Sequence, residues 1–367
     1  MKNRTFRFVV FGAGRQGLAT VYDLMQRCDA DRVVVFDPDS IRLGHAATRL
    51  RALLSGDMYD KVIFLATGPS AEYFVAETDV VISCAPHQAN IDLTKLALKY
   101  HKHFCDLGGN TAIMEEQERL ARGARSAVVP ACGVSPGISN ILAAYLAQEE
   151  LCNEIRVRCG GNPLIPPNEM VNPYLYSLYF SPDGVASEYT GNVAIIRKGE
   201  IALAPALGEV SPFDDEFESA PTANNSPLVA QYLRSLGVME YDYQTLRYRG
   251  HFSAIKKKAP IGDERSLAQW LRDQPELQLS PIAKDRLTLS VRGIYHNRAL
   301  RETREYRFDV EADPTTGFTA MERMTSWGIT LVARYLAEYG GREVHGFFPP
   351  EQFMNAQDII HGICARL

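Results

Sequence analysis

The chain has no Cys-x-x-Cys pair, and its cysteines number seven, an odd count. A disulfide framework is therefore not expected, and the scattered thiols read as reduced ones in the cytoplasm. A block of lysines and arginines of the kind nucleic acid demands is missing, as is a basic amphipathic run suited to a membrane surface. No apolar stretch approaches the ~20 residues of a membrane span. The opening MKNRTFRFVVFGAG imitates a secretory leader only briefly: its apolar run is short and meets glycines without a small-residue cleavage site. Repeats and low-complexity tracts are also lacking. What is there is ordinary for a globular chain, 46% hydrophobic and 23% charged, with a net charge of −5. Its 367 residues are many for a single core, so two domains are expected.

Residues Phe6 to Phe11 are β-branched and aromatic and read as a strand. Gly12, Gly14 and Gly17 follow in GAGRQG, then Leu18, Val21, Leu24 and Met25 at helical spacing. A second apolar strand, VVVF at 33–36, ends at Asp37. Strand, glycine turn, helix, strand and acid in this order form a dinucleotide-binding fingerprint. Gly12 permits the tight turn, Gly14 lets backbone approach a pyrophosphate, and Gly17 lets helix pack on strand. Ala13, Arg15 and Gln16 complete the loop, and the helix N-terminus offers free N–H groups to phosphate. Asp37 is placed to accept from a ribose diol and to repel a 2′-phosphate, which favours NAD over NADP as cofactor. Arg15 and Arg42 soften that preference.

The alternation continues through KVIFLA (61–66), DVVISCAP (79–86), a helix over 91–100, HFCDLGG (103–109) and AVVPACG (127–133). Strands separated by helices imply a doubly wound parallel sheet with right-handed crossovers. Ligands then sit at the carboxyl ends of strands, here at Cys84, Ala85 and Pro86 and at Leu107 and Gly108. Beyond Gly137 the pattern changes. A helix is expected over 138–150, then strand-like runs at 154–159, 192–197, 243–250, 286–295 and 304–310, with few helices between. The second domain is therefore α+β with a mixed or antiparallel sheet. The Pro- and Gly-rich stretches 160–173 and 204–227 are expected as long loops. An apolar helix over 325–340 is expected to return to the first domain.

Within LRYRGH (246–251), Arg247, Arg249 and His251 alternate with Leu246, Tyr248 and Gly250. On a strand, three potential cations would share one face. That face is either solvated or a site for an anion, most simply a substrate carboxylate, which a guanidinium meets with two parallel hydrogen bonds. His87 follows the DVVISCAP strand and has the intrinsic chemistry for proton transfer near neutrality. Asp106 ends the neighbouring strand. Both are acid–base candidates; the plainer readings are a strand-capping histidine and a carboxylate that caps the Gly108–Gly109 turn. Cys132, just ahead of a helix, is the nucleophile candidate of a rival reading, a semialdehyde dehydrogenase, although a buried inert thiol is the commoner case. Tyr174, Tyr176 and Tyr179 suit a pocket wall or a core. Asn224, Asn225 and Ser226 suit a substrate's distal group or a plain polar loop. His101, His103 and Cys105 alternate but find no further ligands in the sequence, so no metal is expected.

Taken together, GAGRQG (12–17), DVVISCAPH (79–87), CDLGGN (105–110), GVSPGISNIL (133–142), TLRYRGH (245–251) and GFFPPEQF (346–353) resemble the saccharopine dehydrogenase-like family. Within it they are most similar to the lysine epsilon-dehydrogenase branch. The resemblance implies a nicotinamide-binding Rossmann domain at 1–135, completed by 328–367, and a substrate-binding and dimerisation domain at 136–327. It implies a nicotinamide-dependent enzyme, with NAD expected from Asp37, that oxidises the amine carbon of an amino-acid or opine-like small molecule to an imine, or runs the reverse reduction, as a homodimer or higher homo-oligomer. Arg247, Arg249, His251, Tyr176 and Asn225 are then the substrate-side candidates. The branch's usual run before RYRGH is replaced here by SAPTANNSP (219–227), so lysine itself is not implied. A non-catalytic NAD-binding regulator on the same scaffold is the remaining alternative.

Overall fold

The computed structural model describes residues 4–165, 167–170, 172–223, 227–278, 284–296 and 301–367. In chain order the elements of the first part are β1 (Phe6–Phe11), α1 (Arg15–Arg27), β2 (Ala30–Asp37), α2 (Ser40–Leu53), α3 (Gly56–Tyr59) and β3 (Val62–Ala66). They continue with α4 (Ser70–Ala76), β4 (Val80–Ser83), α5 (Asn90–Lys99), β5 (His103–Asp106), α6 (Thr111–Ala121) and β6 (Ala127–Val129). The second part comprises α7 (Ile138–Gln148), β7 (Glu154–Pro163), α8 (Pro182–Tyr189), β8 (Asn192–Arg197), β9 (Glu200–Pro205), β10 (Ser211–Pro212) and β11 (Phe217–Pro221). It goes on with α9 (Pro227–Ser235), β12 (Glu240–Tyr248), α10 (His251–Lys258), α11 (Glu264–Arg272), β13 (Asp285–His296) and β14 (Arg301–Glu311). The chain closes with α12 (Ala320–Glu343), β15 (Gly346–Phe347) and α13 (Ala356–Cys364). Two compact units result, one of residues 1–138 and 322–367, the other of residues 139–321.

The first unit is built on a seven-stranded sheet in the order β15-β6-β5-β4-β1-β2-β3. All its pairings are parallel. Its central strands are continuous apolar runs because helices cover both faces, leaving no solvated side on which to alternate. Val9, Phe11, Val34, Phe36, Val81, Phe104 and Val128 meet in one buried cluster. The strand order reverses between β1 and β4, the switch point at which a doubly wound sheet opens a crevice for ligand.

The second unit carries an eight-stranded mixed sheet, ordered β10-β11-β12-β7-β13-β14, with β8 pairing β12 and β9. β12 and β7 run parallel, and the other pairs antiparallel. Two expectations fail here. Residues 160–163 continue β7, and 204–227 contain β10 and β11, so neither stretch is a structureless loop throughout. Four helices, α8 to α11, stand where few were expected. Of these, α8, α10 and α11 bury one apolar cluster with Tyr174, Tyr176, Tyr179, Tyr189, Phe252, Ile255, Leu267 and Leu271, so the tyrosines of NPYLYSLY belong to the core.

Candidate functional site

In the first unit, β1 delivers the chain into the glycine turn at Gly12, whose N–H donates to the Phe36 carbonyl at 2.7 Å. Gly12 holds φ at +104°, and a Cβ there would stand 2.7 Å from the Cys84 carbonyl carbon. A Cβ on Gly17 would stand 1.8 Å from the Gly12 carbonyl oxygen. Glycine at both positions is thus demanded by backbone contact, and the contact brings Cys84 and Ala85 against the turn. Gly14 differs: a Cβ there meets nothing within 4 Å. No side chain caps α1 at Gly14. The space beside Gly14 and the uncapped amides that follow suit an anion such as a pyrophosphate. The Gln16 side-chain oxygen at this helix start is buried without a hydrogen-bond partner among the described residues. Arg15 turns instead to Glu322 of α12, with Nε donating at 2.6 Å. These residues fit a dinucleotide.

Asp37 is not the free ribose acceptor that the sequence suggests. It is buried, and its Oδ2 accepts from the Ala13 amide at 2.8 Å. Its Oδ1 accepts from Asp39 N at 2.9 Å and from Arg42 Nη1 at 3.1 Å. The carboxylate holds the glycine loop to the end of β2. Half-exposed Arg42, one of the two arginines expected to soften the NAD preference, brings its guanidinium to the same spot.

Asp106 takes the plainer of its two expected readings, the carboxylate that caps the Gly108–Gly109 turn. It is 1% exposed and accepts from Gly108 N at 2.7 Å, Ala131 N at 3.2 Å and Gln117 Nε2 at 2.7 Å. Burial raises its pKa and these three donors pull it back. The carboxylate ties the end of β5 to the turn after β6. Buried and bound by three donors of this unit, it acts as a scaffold group. His87, by contrast, begins the short turn after β4, is partly exposed, and its side chain makes no hydrogen bond among the described residues. It lies against Gly109, where an added Cβ would come 3.6 Å from the His87 Cβ. Pro86 is exposed beside it, and Leu107 and Gly108 are half-buried.

Cys132 is 1% exposed, and its thiol donates to the Val129 carbonyl at 3.3 Å. Burial pushes the thiol well up, and the neighbouring Cys105 and Asp106 add to the shift. A thiol nucleophile is favoured by exposure and a lowered pKa, and Cys132 has neither, so the geometry counts against it in the semialdehyde dehydrogenase reading. His103 accepts from Ala127 N at 3.0 Å, and burial pulls it down to about 4. Among the described residues no group of three or more His, Cys, Asp or Glu is arranged to hold a metal ion.

In the second unit the LRYRGH stretch breaks its alternation. β12 ends at Tyr248, Gly250 turns the chain at φ +98°, and His251 is the first residue of α10. Arg249 is exposed and donates to the Asp214 carbonyl, so it is a surface residue apart from the other two. Arg247 and His251 are buried, at 2% and 0% exposure. His251 Nδ1 lies 2.6 Å from the Tyr174 carbonyl, which can only accept, so the ring proton sits on Nδ1. Nε2 then accepts from the Tyr189 hydroxyl at 2.9 Å, and Tyr189 in turn accepts from Arg247 Nε at 3.0 Å. Arg247 Nη1 donates to the Leu246 carbonyl at 2.9 Å, and its guanidinium carbon lies 4.3 Å from the centre of the Tyr176 ring. Burial and the Arg247 charge pull His251 down to about 3, so it is a neutral orienting group and not a third cation. Nothing in the sequence links Glu188 of α8 to this cluster, yet its Oε2 lies 3.9 Å from Arg247 Nη2. Asn225 lies outside the described residues.

One family model, the saccharopine dehydrogenase NADP binding domain, matches residues 8–132. A second, the saccharopine dehydrogenase C-terminal domain, matches residues 133–367. The chain belongs to the saccharopine dehydrogenase family. A curated relative is the saccharopine dehydrogenase [NADP(+), L-glutamate-forming] of Pyricularia oryzae, 25% identical over 203 residues. That match spans 51% of this family member and 44% of the relative's length. Among solved structures, the apo saccharopine dehydrogenase (L-Glu forming) of Saccharomyces cerevisiae superposes with a TM-score of 0.74 at 15% identity, covering 98% of this chain and 97% of that one. The likeness shows a shared fold: a parallel Rossmann sheet with a second, mixed-sheet domain.

Proposed function

We propose that the chain is a nicotinamide-dependent oxidoreductase acting on the CH–NH group of an amino-acid or opine-like substrate. The reading rests on one observation above the others: the two family models together account for residues 8 to 367, and the glycine turn in the first of them is intact in geometry. The bound nicotinamide would exchange a hydride with the carbon that bears nitrogen. The chain's own part is to cradle the pyrophosphate at Gly14 and the start of α1, and to hold the turn through Asp37. Arg247, oriented by Tyr189 and His251, is the substrate-carboxylate group in this reading.

His87 is the residue we assign to proton transfer, because of the two acid–base candidates it is the partly exposed one, with a side chain that makes no hydrogen bond among the described residues. For the cofactor we propose NADP in preference to NAD. The expectation of NAD needed a free Asp37 carboxylate, whereas that group is spent on Ala13, Asp39 and Arg42. Arg42 stands ready for a 2′-phosphate, and both the matched domain's description and the curated relative carry NADP. A homo-oligomer belongs to the same proposal, and light scattering of the purified protein checks it.

The deciding experiment follows cofactor absorbance at 340 nm, the reduced-nicotinamide band, with lysine, ornithine, saccharopine and polyamines in both reaction directions. Turnover with at least one amino-acid amine and NADP supports the reading. Tight cofactor binding with no turnover on any of them replaces it with the regulator reading.

A further inference from the structure

Glu188 and Arg247 form an ion pair that is deeply buried and incompletely bonded. Two of the five guanidinium N–H groups are used, by Tyr189 and the Leu246 carbonyl. The 3.9 Å from Nη2 to Glu188 Oε2 exceeds hydrogen-bond reach. The Glu188 carboxylate accepts no hydrogen bond among the described residues, although its side chain is only 5% exposed. Buried polar groups are ordinarily satisfied, and buried charges most of all. Unfilled donors and unfilled acceptors therefore stand side by side, with the guanidinium locked in place by Tyr176, Tyr189 and His251.

We propose that Glu188 and Arg247 together receive the α-amino-acid end of a ligand, Glu188 taking the α-ammonium and Arg247 the α-carboxylate. This rests on the amino-acid reading of the substrate given above and adds a residue to it. An α-amino acid carries both charges on one carbon, matching two opposite charges held next to each other. The carboxylate takes guanidinium N–H groups that Tyr189 and the Leu246 carbonyl leave unused, and the ammonium brings the donors that Glu188 lacks. A simple carboxylic acid leaves Glu188 facing an anion, and a simple amine leaves Arg247 facing a cation. The pair therefore selects the zwitterion against either half. Burial pushes Glu188 up to about 7 and Arg247 pulls it back only in part, so a further positive charge is what the ionised carboxylate needs.

The test compares three small probes by titration calorimetry on the full chain with NADP present: norleucine, hexanoate and pentylamine. They are an α-amino acid, the same chain without its amine, and the same chain without its carboxyl. Wild type should prefer norleucine to both. In Glu188→Gln, norleucine affinity should fall tenfold or more while hexanoate affinity holds or rises. In Arg247→Gln, norleucine and hexanoate should both weaken. Glu188→Asp, which keeps the charge, should retain part of the norleucine preference. Circular dichroism and cofactor affinity establish that each variant is folded, and Glu188→Asp carries the test if Glu188→Gln is not. An unchanged norleucine-to-hexanoate ratio in a folded Glu188 variant overturns the proposal, as does a wild type that binds none of the probes. Absence of redox turnover with zwitterion binding intact instead counts against the oxidoreductase reading alone.

Discussion

Arg247 and Arg249 sit two residues apart, yet their environments are opposite. Arg247 is buried beside Glu188, whereas Arg249 is exposed and contacts one carbonyl. Removing one member of a buried ion pair strands the other. Arg247→Ala should therefore cost roughly 3–5 kcal/mol of stability, and Arg249→Ala should stay within about 0.5 kcal/mol of wild type. Urea unfolding of the two variants side by side measures both; equal losses would contradict the assignment of one to the core and one to the surface. At the cofactor, Arg42→Ala should lower NADP affinity about tenfold, the equivalent of about 1.4 kcal/mol, while leaving NAD nearly untouched. Fluorescence titration with the two reduced cofactors reads the ratio. His87→Ala should lower turnover by ~100-fold with cofactor binding intact, the usual scale for a lost acid–base group. The sequence could place Arg247 on a strand, but not tell it from Arg249. Alternation assumes that a strand continues, and Gly250 ends this one in a left-handed turn before His251 starts a helix. Glu188 was invisible for a different reason: an acid in the last turn of a short helix looks like any surface residue until the fold brings β12 beside it.

The elements of the first unit were legible because long apolar runs and glycine punctuation state the same thing twice. β1, α1 and β2 each agree with their sequence signal to within a few residues. The helices of the second unit were harder. α8, α10 and α11 span eight or nine residues each, barely two turns, so their periodicity is thin. The glycines of β7 looked like a loop signal. A Cβ on Gly160 would lie 2.2 Å from the Leu246 carbonyl oxygen, so glycine there serves close strand contact and not a turn. Asp106 makes the same point for polar residues at element ends. Its place at the carboxyl edge of the sheet suggests catalysis, and its three donors show that it joins β5 to the turns around it. Asp106→Ala should leave those donors without their acceptor and lower stability by roughly 2–4 kcal/mol. Thermal melts of apo and NADP-saturated protein distinguish this from a catalytic role: both melts should shift down together. A variant with wild-type melting and lost turnover would return Asp106 to the mechanism.

Across the whole molecule, buried titratable groups set opposing dependences of stability on pH. His251 and His103, one in each unit, are held down to about 3 and about 4. Below the ordinary histidine value near 6.5, the unfolded chain takes up protons that the folded chain refuses, so each contributes stability that is lost as pH falls. Glu188 is pushed up to about 7. Above the ordinary glutamate value near 4.3, the unfolded chain releases a proton that the folded chain retains, so Glu188 contributes stability that is lost as pH rises toward 7. Between about pH 4.5 and 6.5 the two effects oppose each other, and wild-type stability should vary less than the two histidines alone would make it. Single substitutions expose the terms. Going down from pH 6.5, His251→Gln should gain on wild type by up to roughly 1.4 kcal/mol per pH unit. Over the same interval Glu188→Gln should lose ground by a similar slope, because wild type regains its favoured neutral acid while glutamine does not titrate. Unfolding free energies of the three proteins at half-unit steps test the signs directly. Parallel curves for either variant and wild type would mean that the group titrates alike in the folded and unfolded chains. The buried cluster around Arg247 would then be open to water.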